Sequence, residues 1–587
     1  MFGWLVYKKG VLLTAQKRAE YETITLDELI VAYRKYPKFE NEQLFSVSEE
    51  CLLLTEGVLL NAGEIKAETK SDSLRDALFK LFSRTPHNAL VRLNGPFCGV
   101  YHDRTENRTH IFTNRIGDRP VYYYQSGNHR IASSNINLLI AFCHENALTL
   151  TFDQAAGNMM LELGFMADNC TMAREIKRVF PGECLIWEKV EQRTEQYYMY
   201  DNTCDDSITL NDAIETVDRL FRQAVGRCFD KDKEYGYHHV ADLSGGLDSR
   251  MTTWVARDMG YGPFLNLNWG MSCCEDYKIA AKVAAYLGND FIFESLDNMN
   301  CFYDLDEAVR RNFGAAIYIG PTGALRFAKN IRSELFGLKH SGQLGDVIVG
   351  SFVYEIEHKK PNENSVFGYA CVNNCRVPYE NYQNVEQARY YVRGFLGVTN
   401  ASQLQNEYWI VTSPFLDNDL MEYCLKIPLK YRVNHYLYVK WIEAKYPAVL
   451  KFRRQGSLLS VRNTYLHPKV SSFVNRAFNR FKRDSQTLKY KLKLSQYRYR
   501  LDVDGMNPLD AVFERDGRLP AYMQDYFDKS IGLFEGDKVY QHQLMDTFHK
   551  GKVAVKAMVL TVLSFVKQHK IEVNAVEQER FSQKQTR

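Results

Sequence analysis

The sequence is short of four things, and each shortage removes a class of protein. Its 13 cysteines are odd in number, scattered, and include neither a CxxC pair nor a zinc-ligand series. They read as reduced, mostly buried thiols, which argues against a disulfide-stapled secreted domain and points to a reducing, cytoplasmic setting. No apolar run reaches the roughly 20 residues of a membrane span. The most apolar stretch, VAVKAMVLTVLSFVKQHK, carries Lys556 inside it, and the N-terminal MFGWLVYKKG is too short for a signal-peptide core. The phosphate loop GxxxxGK(S/T) occurs nowhere, which argues against an ordinary γ-phosphate transferase. Charge of one sign is not in excess either: 74 Lys and Arg against 71 Asp and Glu leave a formal +3. That gives the whole molecule no electrostatic drive toward nucleic acid or membrane. What is present is globular, 45% hydrophobic and 25% charged over 587 residues. That length predicts two or three domains.

Three regions differ in rhythm. Residues 1–205 carry short strand-like runs, CLLLTEGVLL, CGVYHD, THIFTN and PVYYYQSGNHRIASS, broken by two amphipathic helical patterns at 71–84 and 152–165. They predict a layered α/β sheet domain. Residues 206–460 alternate helix and strand, from LNDAIETVDRLFRQAVGRCF through YGYHHVADL, LDSRMTTWVARDMG, PFLNLNWG and EDYKIAAKVAAYLG to DFIFESL. Such alternation implies crossover connections and a parallel sheet with helices on both faces. Residues 461–587 form a basic, mainly helical region; Lys451 to Arg500 contains 14 Lys or Arg and one acid, Asp484. A polyanion surface would give that pattern, and so would a solvated helical face, the reading favoured here.

The stretch HHVADLSGGLDSRM places two glycines and small polar residues between a strand and a helix. A strand that runs through glycine into a helix leaves backbone N–H groups facing outward beside the positive end of the helix dipole, a ready anion site. The plain alternative is a glycine turn with helix-capping serines. SGGxDS after a strand resembles the ATP-pyrophosphatase loop, in which Ser244, Gly245, Gly246 and Ser249 would grip pyrophosphate.

With four further segments, that loop makes the chain resemble the asparagine synthase family over roughly residues 1–460. HSGQLGDVIVGS is similar to the family's SGEGxDExxGG, and SPFLDNDLMEYCLKIPLKYR to its PFLD segment. RLNGPFCGVYHD and TNRIGDRPVYYY resemble signatures of the class II glutamine amidotransferase domain, and VFPGE its PG turn. The resemblance implies an Ntn-type layered domain followed by an ATP-pyrophosphatase domain. It implies an ATP and Mg2+ requirement, with Leu243, Ser244, Gly245, Gly246, Asp248, Ser249, Ser341 and Gly342 binding nucleotide and Asp248 and Asp346 binding the metal. The reaction it implies is attack of a substrate carboxylate on the α-phosphorus, followed by opening of the acyl-adenylate by an amine.

The chain also departs from the family. Class II amidotransferases use a Cys at the processed N-terminus, but here Met1 is followed by Phe2 and no cysteine precedes Cys51. The family's NGEIYN reads EGVLLN at Glu56 to Asn61, and only Asp72 persists of its glutamine ligands. The first domain is therefore expected to be without glutaminase activity. In the synthetase half Gln343 replaces a Glu, Leu344 a Gly and Val347 an acid, and a lysine position falls on Gln455, with Arg453 and Arg454 beside it as candidate phosphate clamps. Arg250 is a further candidate. Asp248, Asp346, Gln343, Arg453 and Arg454 are thus the expected catalytic set.

The expected partners are a small-molecule or peptide carboxylate, ammonia or an amine acceptor, and a second copy of the chain in a homodimer; membrane and nucleic acid are set aside. The alternatives are a nucleotide-binding pseudoenzyme or scaffold, and a cyclase of β-lactam synthetase or lasso-cyclase type.

Overall fold

The computed structural model describes residues 2–8, 20–26, 28–189, 191–320, 322–366, 377–454, 457, 468–494, 509–515 and 517–574. The first part of the chain forms strands β1 (Gly3–Lys8), β2 (Glu22–Leu26), β3 (Leu29–Arg34), β4 (Phe45–Val47), β5 (Cys51–Gly57), β6 (Phe97–Asp103), β7 (Arg108–Thr113), β8 (Tyr122–Tyr124), β9 (Ile131–Ser133), β10 (Ile176–Arg178), β11 (Glu183–Glu188) and β12 (Glu191–Gln196). They make two six-stranded sheets, ordered β10-β8-β9-β1-β3-β2 and β12-β11-β7-β6-β5-β4. Neighbours pair antiparallel wherever a register is defined.

The two sheets face each other. Trp4, Val6, Val31 and Tyr33 of one meet Leu52, Leu54, Val100, Ile111 and Trp187 of the other. The alternate residues point away into helical layers. Leu5, Tyr7, Ile30 and Ala32 pack under the helices Ile136–Glu145 and Gln154–Leu163. Leu53, Tyr101, Phe112 and Ile186 pack under Ala62–Thr69, Leu74–Phe82 and Pro86–Arg92. Because both faces of each sheet are covered, runs such as CLLL are apolar at every position rather than at every second one. The two helices predicted at 71–84 and 152–165 start at side-chain caps, Ser73 accepting from Asp76 N–H and Asp153 from Ala155 and Ala156 N–H.

The second sheet system is wholly parallel: β13 (His238–Asp242), β14 (Leu265–Gly270), β15 (Asp290–Ser295), β16 (Phe336–His340) and β17 (Val411–Thr412), ordered β15-β14-β13-β16-β17. The mixed α/β architecture is as the sequence predicts. Strand order runs one way from β13 to β15 and the other way from β16 to β17. The chain therefore reverses direction between β13 and β16, and a crevice opens at their carboxyl ends, where ligands bind in open α/β sheets.

The first domain is bolted to this sheet by polar contacts. Lys38 Nζ donates to the carbonyls of Ser333, Phe336 and Tyr408, and Asn94 Nδ2 donates to Asp417 Oδ2 at 2.7 Å. The same Asp417 oxygen takes Arg227 Nη1 at 2.7 Å, and its partner oxygen caps the helix Asn418–Lys426. The acid of the PFLD segment is thus an interdomain clamp. The apolar run around Lys556 is the helix Val553–His569. It is buried against the first domain's helices and the helix Leu305–Arg311, and Lys556 reaches out of it to the Phe548 carbonyl. Among the described residues no helix is long and apolar enough to cross a membrane.

Candidate functional site

Two loops meet at the β13/β16 crevice. The first, Ser244–Ser249, leaves β13 and enters the helix Asp248–Asp258; the second, Ser341–Asp346, leaves β16. Their contact is tight enough to require glycine. A Cβ on Gly342 would lie 2.1 Å from Ser249 N and 2.3 Å from Asp248 C, and one on Gly345 would lie 2.8 Å from Asp248 Cβ and Cγ. Thr252 Oγ1 ties the loops by donating to the Ser341 carbonyl at 3.1 Å, and Ser341 N–H reaches across to the Thr412 carbonyl of β17.

This packing puts Asp248 and Asp346 within each other's electrostatic reach in a buried crevice. The Asp248 carboxyl is pushed well above the ordinary aspartate range, by burial first and then by the negative charge of Asp346. Tyr438 offsets part of this by donating its hydroxyl to Asp248 Oδ1 at 2.9 Å. Two oxygen donors whose mutual repulsion is relieved only by a proton or a cation suit a hard divalent ion of the magnesium kind.

The Ser244–Ser249 loop is internally bonded. Ser249 Oγ accepts from Ser244 N–H at 2.9 Å, Ser244 Oγ accepts from Gly246 N–H at 3.1 Å, and the two hydroxyls lie 2.9 Å apart. Gly245 N–H donates to Asp276 Oδ1 at 2.8 Å, and Asn268 Nδ2 holds the other Asp276 oxygen at 2.9 Å while also taking the Leu243 carbonyl. The helix that follows has no side-chain cap at Leu247, and a helix N-terminus carries the positive end of the helix dipole.

The remaining candidates are distributed unevenly. Gln343 N–H bonds Ser341 Oγ at 3.3 Å, while its side-chain amide bonds Ser402 and its carbonyl takes Ser413 Oγ. It lines the crevice but is anchored away from free rotation. Leu344, at a family glycine position, has φ +60°, so it keeps the left-handed backbone that glycine adopts without strain. Arg454 and Asp346 both act electrostatically on His435, whose imidazole is pulled down by burial, then raised by Asp346 and lowered by Arg454. Arg453 is exposed, and the contact it makes to the site is its backbone carbonyl, which accepts from Arg250 at 2.9 Å. Arg250 points away from phosphate. It is fully buried, and its guanidinium donates to the carbonyls of Gly245, Val449, Phe452 and Arg453, bracing the loop from behind. Gln455 lies outside the described residues, as do Cys371 and Cys375.

Sequence reasoning missed Tyr438, Asp276, His435 and Asn268. Asp276 had a local signal, an acid in the first turn of a helix after a strand. Tyr438 had none, being 190 residues from the carboxylate that it holds.

The start of β1 opens on a cavity of ≈ 60 Å³ between the first domain and the second region, whose walls include Phe2, Glu56, Cys98 and Arg119 on one side and Arg310, Arg311 and Gln403 on the other. Glu56 sits on the strand end where the family's oxyanion Asn is expected, and its Oε2 accepts from Ser134 Oγ at 2.6 Å. Burial pushes the Glu56 carboxyl up, against the Arg119 charge. The adjacent Cys98 thiol is pushed well up, by burial and then by Glu56, so it is a thiol rather than a nucleophilic thiolate. Asp72 is exposed in the turn before the helix Leu74–Phe82.

The chain is similar to known proteins over part of its length. A family model described as a glutamine amidotransferase domain matches residues 40–198. A protein of Methanocaldococcus jannaschii described as asparagine synthetase 2, glutamine-hydrolysing, is 24% identical over 216 residues, which is 36% of this chain and 41% of that protein. The chain thus spans less than half the length of that relative. Two solved structures align over 50% of the chain at a TM-score of 0.23. They are the glutamine phosphoribosylpyrophosphate amidotransferase of B. subtilis complexed with ADP and GMP (14% identical, 59% of that chain) and an allosteric regulatory enzyme of purine biosynthesis (12%, 74%). Residues 40–198 thus match a glutamine amidotransferase domain, and the chain is similar to an asparagine synthetase over about a third of its length.

Proposed function

We infer that the chain is an ATP-dependent amide-forming ligase, acting in a reducing, cytoplasmic setting, that adenylates a substrate carboxylate and passes the acyl group to ammonia or an amine. AMP and pyrophosphate would be released. The observation that carries this is the meeting of Asp248 and Asp346 beside the uncapped start of the helix Asp248–Asp258. When bound, a magnesium ion would supply charge stabilisation for departing pyrophosphate through those two carboxylates. The chain's own groups do the rest. The head of the helix and the Ser244 and Ser249 hydroxyls bind the phosphate tail, and Gly342 lets the second loop close against the first. Tyr438 keeps one Asp248 oxygen oriented, and Arg454 supplies positive charge near Asp346.

The first domain would not hydrolyse glutamine, because the thiol that lines its pocket beside Phe2 and Glu56, Cys98, is buried and held protonated. Ammonia or an amine would then enter free.

The test is pyrophosphate release from ATP and magnesium in the presence of pooled carboxylates and ammonia. Activity that disappears in Asp248→Asn and Asp346→Asn supports the ligase, and a trapped adenylate names its carboxylate. A second reading is favoured by one observation: the Gly245 and Gly246 amides already have internal acceptors, as they would in a scaffold that binds nucleotide without turnover. Saturable ATP binding with no pyrophosphate across all pools would select it. A carboxylate and amine in the same trapped molecule would select a cyclase.

A further inference from the structure

A cluster far from the crevice in sequence and role has the chemistry of a metal site. His87 on the helix Pro86–Arg92, His110 on β7 and Cys184 on β11 place one imidazole nitrogen each and the thiol sulfur within 4.8 Å of one another. Cys184 Sγ lies 3.8 Å from His110 Nδ1, and His87 Nε2 lies 3.5 Å from Glu195 Oε2 on β12. Glu195 is the residue directly opposite Cys184 in the β11/β12 register, so the sheet sets a carboxylate beside the three as a candidate fourth ligand. His110 and Cys184 are buried, and His87 Nε2 is shut off from solvent without a hydrogen-bond partner. The His87 and Glu195 side chains are 35% and 37% exposed, which leaves a path from solvent.

Ligand atoms around one tetrahedral ion, at roughly 2.0–2.3 Å from it, stand roughly 3.3–3.6 Å apart. The two measured separations are within a few tenths of an ångström of that. The second His-containing group among the described residues does not compare. There Asp232 Oδ2 accepts from His239 Nδ1 and His340 Nε2 at 2.8 Å each, and its other oxygen takes Leu338 N–H. That carboxylate is already satisfied by hydrogen bonds.

We propose that His87, His110, Cys184 and Glu195 form a binding site for a borderline-soft divalent cation of the zinc type, pinning the helix Pro86–Arg92 to the outer face of the sheet. The thiolate, two imidazoles and one carboxylate select zinc over magnesium by softness and number. On binding, the Cys184 sulfur forms the metal bond and its proton leaves to solvent; both imidazoles bind as neutral donors. The site shares no residue with the nucleotide crevice.

The test uses the full-length chain, stripped of metal and kept in excess magnesium so that the Asp248 and Asp346 oxygens are occupied. Cobalt(II) is expected to give a thiolate-to-metal charge-transfer band at one equivalent, absent in Cys184→Ser, and zinc is expected to displace the cobalt. His87→Gln, at a half-exposed position that keeps the fold, should weaken zinc binding by more than the roughly 10- to 100-fold that loss of an outer-shell partner costs. The proposal is overturned if wild-type protein gives no charge-transfer band, if the band survives Cys184→Ser, or if His87→Gln binds zinc as tightly as wild type.

Discussion

Gly342→Ala tests the claim that two loops, rather than one motif, make the site. The new methyl group would sit 2.1 Å from Ser249 N, whereas an ordinary contact begins at 3.4 Å. The loops must separate by the difference, 1.3 Å. Both partners are backbone, so no side-chain rotation relieves the clash. Overpacking of this kind costs about 1–3 kcal/mol of stability. A displacement near 1 Å of groups that position a reaction costs about 10²-fold, equivalent to about 2.7 kcal/mol. The two effects are separable: urea unfolding reads the first, and calorimetric titration with magnesium and ATP reads the second. Gly63→Ala is the control, because nothing lies within 4 Å of its methyl position in the helix Ala62–Thr69. It should leave binding unchanged and stability unchanged or up to about 1 kcal/mol higher. Nucleotide affinity in Gly342→Ala within threefold of wild type would refute the reasoning, since the loops would then not need to touch for the site to work.

Asp346→Asn should stabilise the metal-free protein at pH 8 by about 0.5–2 kcal/mol, the size common for relieving functional strain. The sign follows from Asp248. Its folded carboxyl binds a proton more tightly than the unfolded one, so wild-type stability falls as pH rises from about 3.9 through the elevated folded value. The variant removes part of that fall, and the two proteins converge below about pH 4. Melting curves with and without magnesium check this, and magnesium should stabilise only the wild type. Tyr438→Phe removes the hydrogen bond to a charged carboxylate, worth about 1.5–3 kcal/mol, and should raise the magnesium concentration for half-saturation about tenfold while far-ultraviolet dichroism stays the same. Arg250→Met leaves four carbonyls without their shared donor and should cost about 3 kcal/mol or more in urea unfolding. Isotope-labelled glutamine should yield no labelled glutamate or ammonia in any buffer that supports the synthetase reaction.

The sequence makes some of this plain and hides the rest for physical reasons. The helices at 71–84 and 152–165 are legible because their caps and apolar spacing are local. So is the alternation from LNDAIETVDRLF to DFIFES, where each strand is followed by an amphipathic helix. β16 and β17 are different: FGLKH and VT are short, and β16 contains Lys339 and His340, both buried. Lys339 is accommodated by Asp242 at 3.0 Å and Gln405 at 2.7 Å, and His340 by Asp232. Partners that lie 66 to 108 residues away leave no trace in a local pattern. Arg250 teaches the same lesson in reverse. An arginine after SGGLDS invites a phosphate role, but four carbonyls converge on it from the loop and from residues 449–453. The metal cluster at His87, His110 and Cys184 escaped because its spacing of 23 and 74 residues resembles no ligand series; only the β7/β11 pairing brings the last two together.

The bonding inside the glycine loop decides which groups can take a phosphate. Ser249 Oγ accepts from Ser244 N–H, and Ser244 Oγ accepts from Gly246 N–H. Two hydroxyl protons remain, and only one can lie along the 2.9 Å line between the two oxygens. One hydroxyl therefore always has a proton to give to the crevice. Gly245 N–H is held by Asp276, whose carboxyl burial pushes up while Asn268 and that same amide pull it down. The glycines thus fold the loop more than they bind the ligand. The binding groups left are a rotatable serine proton and the head of the helix Asp248–Asp258. Several helices of this chain start at a side-chain cap, as at Ser73, Asp153 and Thr209, and several others, including Ala62–Thr69 and Val553–His569, do not. This 11-residue helix begins at Asp248, so its positive end lies beside two carboxylates that repel each other, an arrangement that a cation and an anion would relieve together. Metal and phosphate should therefore bind cooperatively, each lowering the cost of the other.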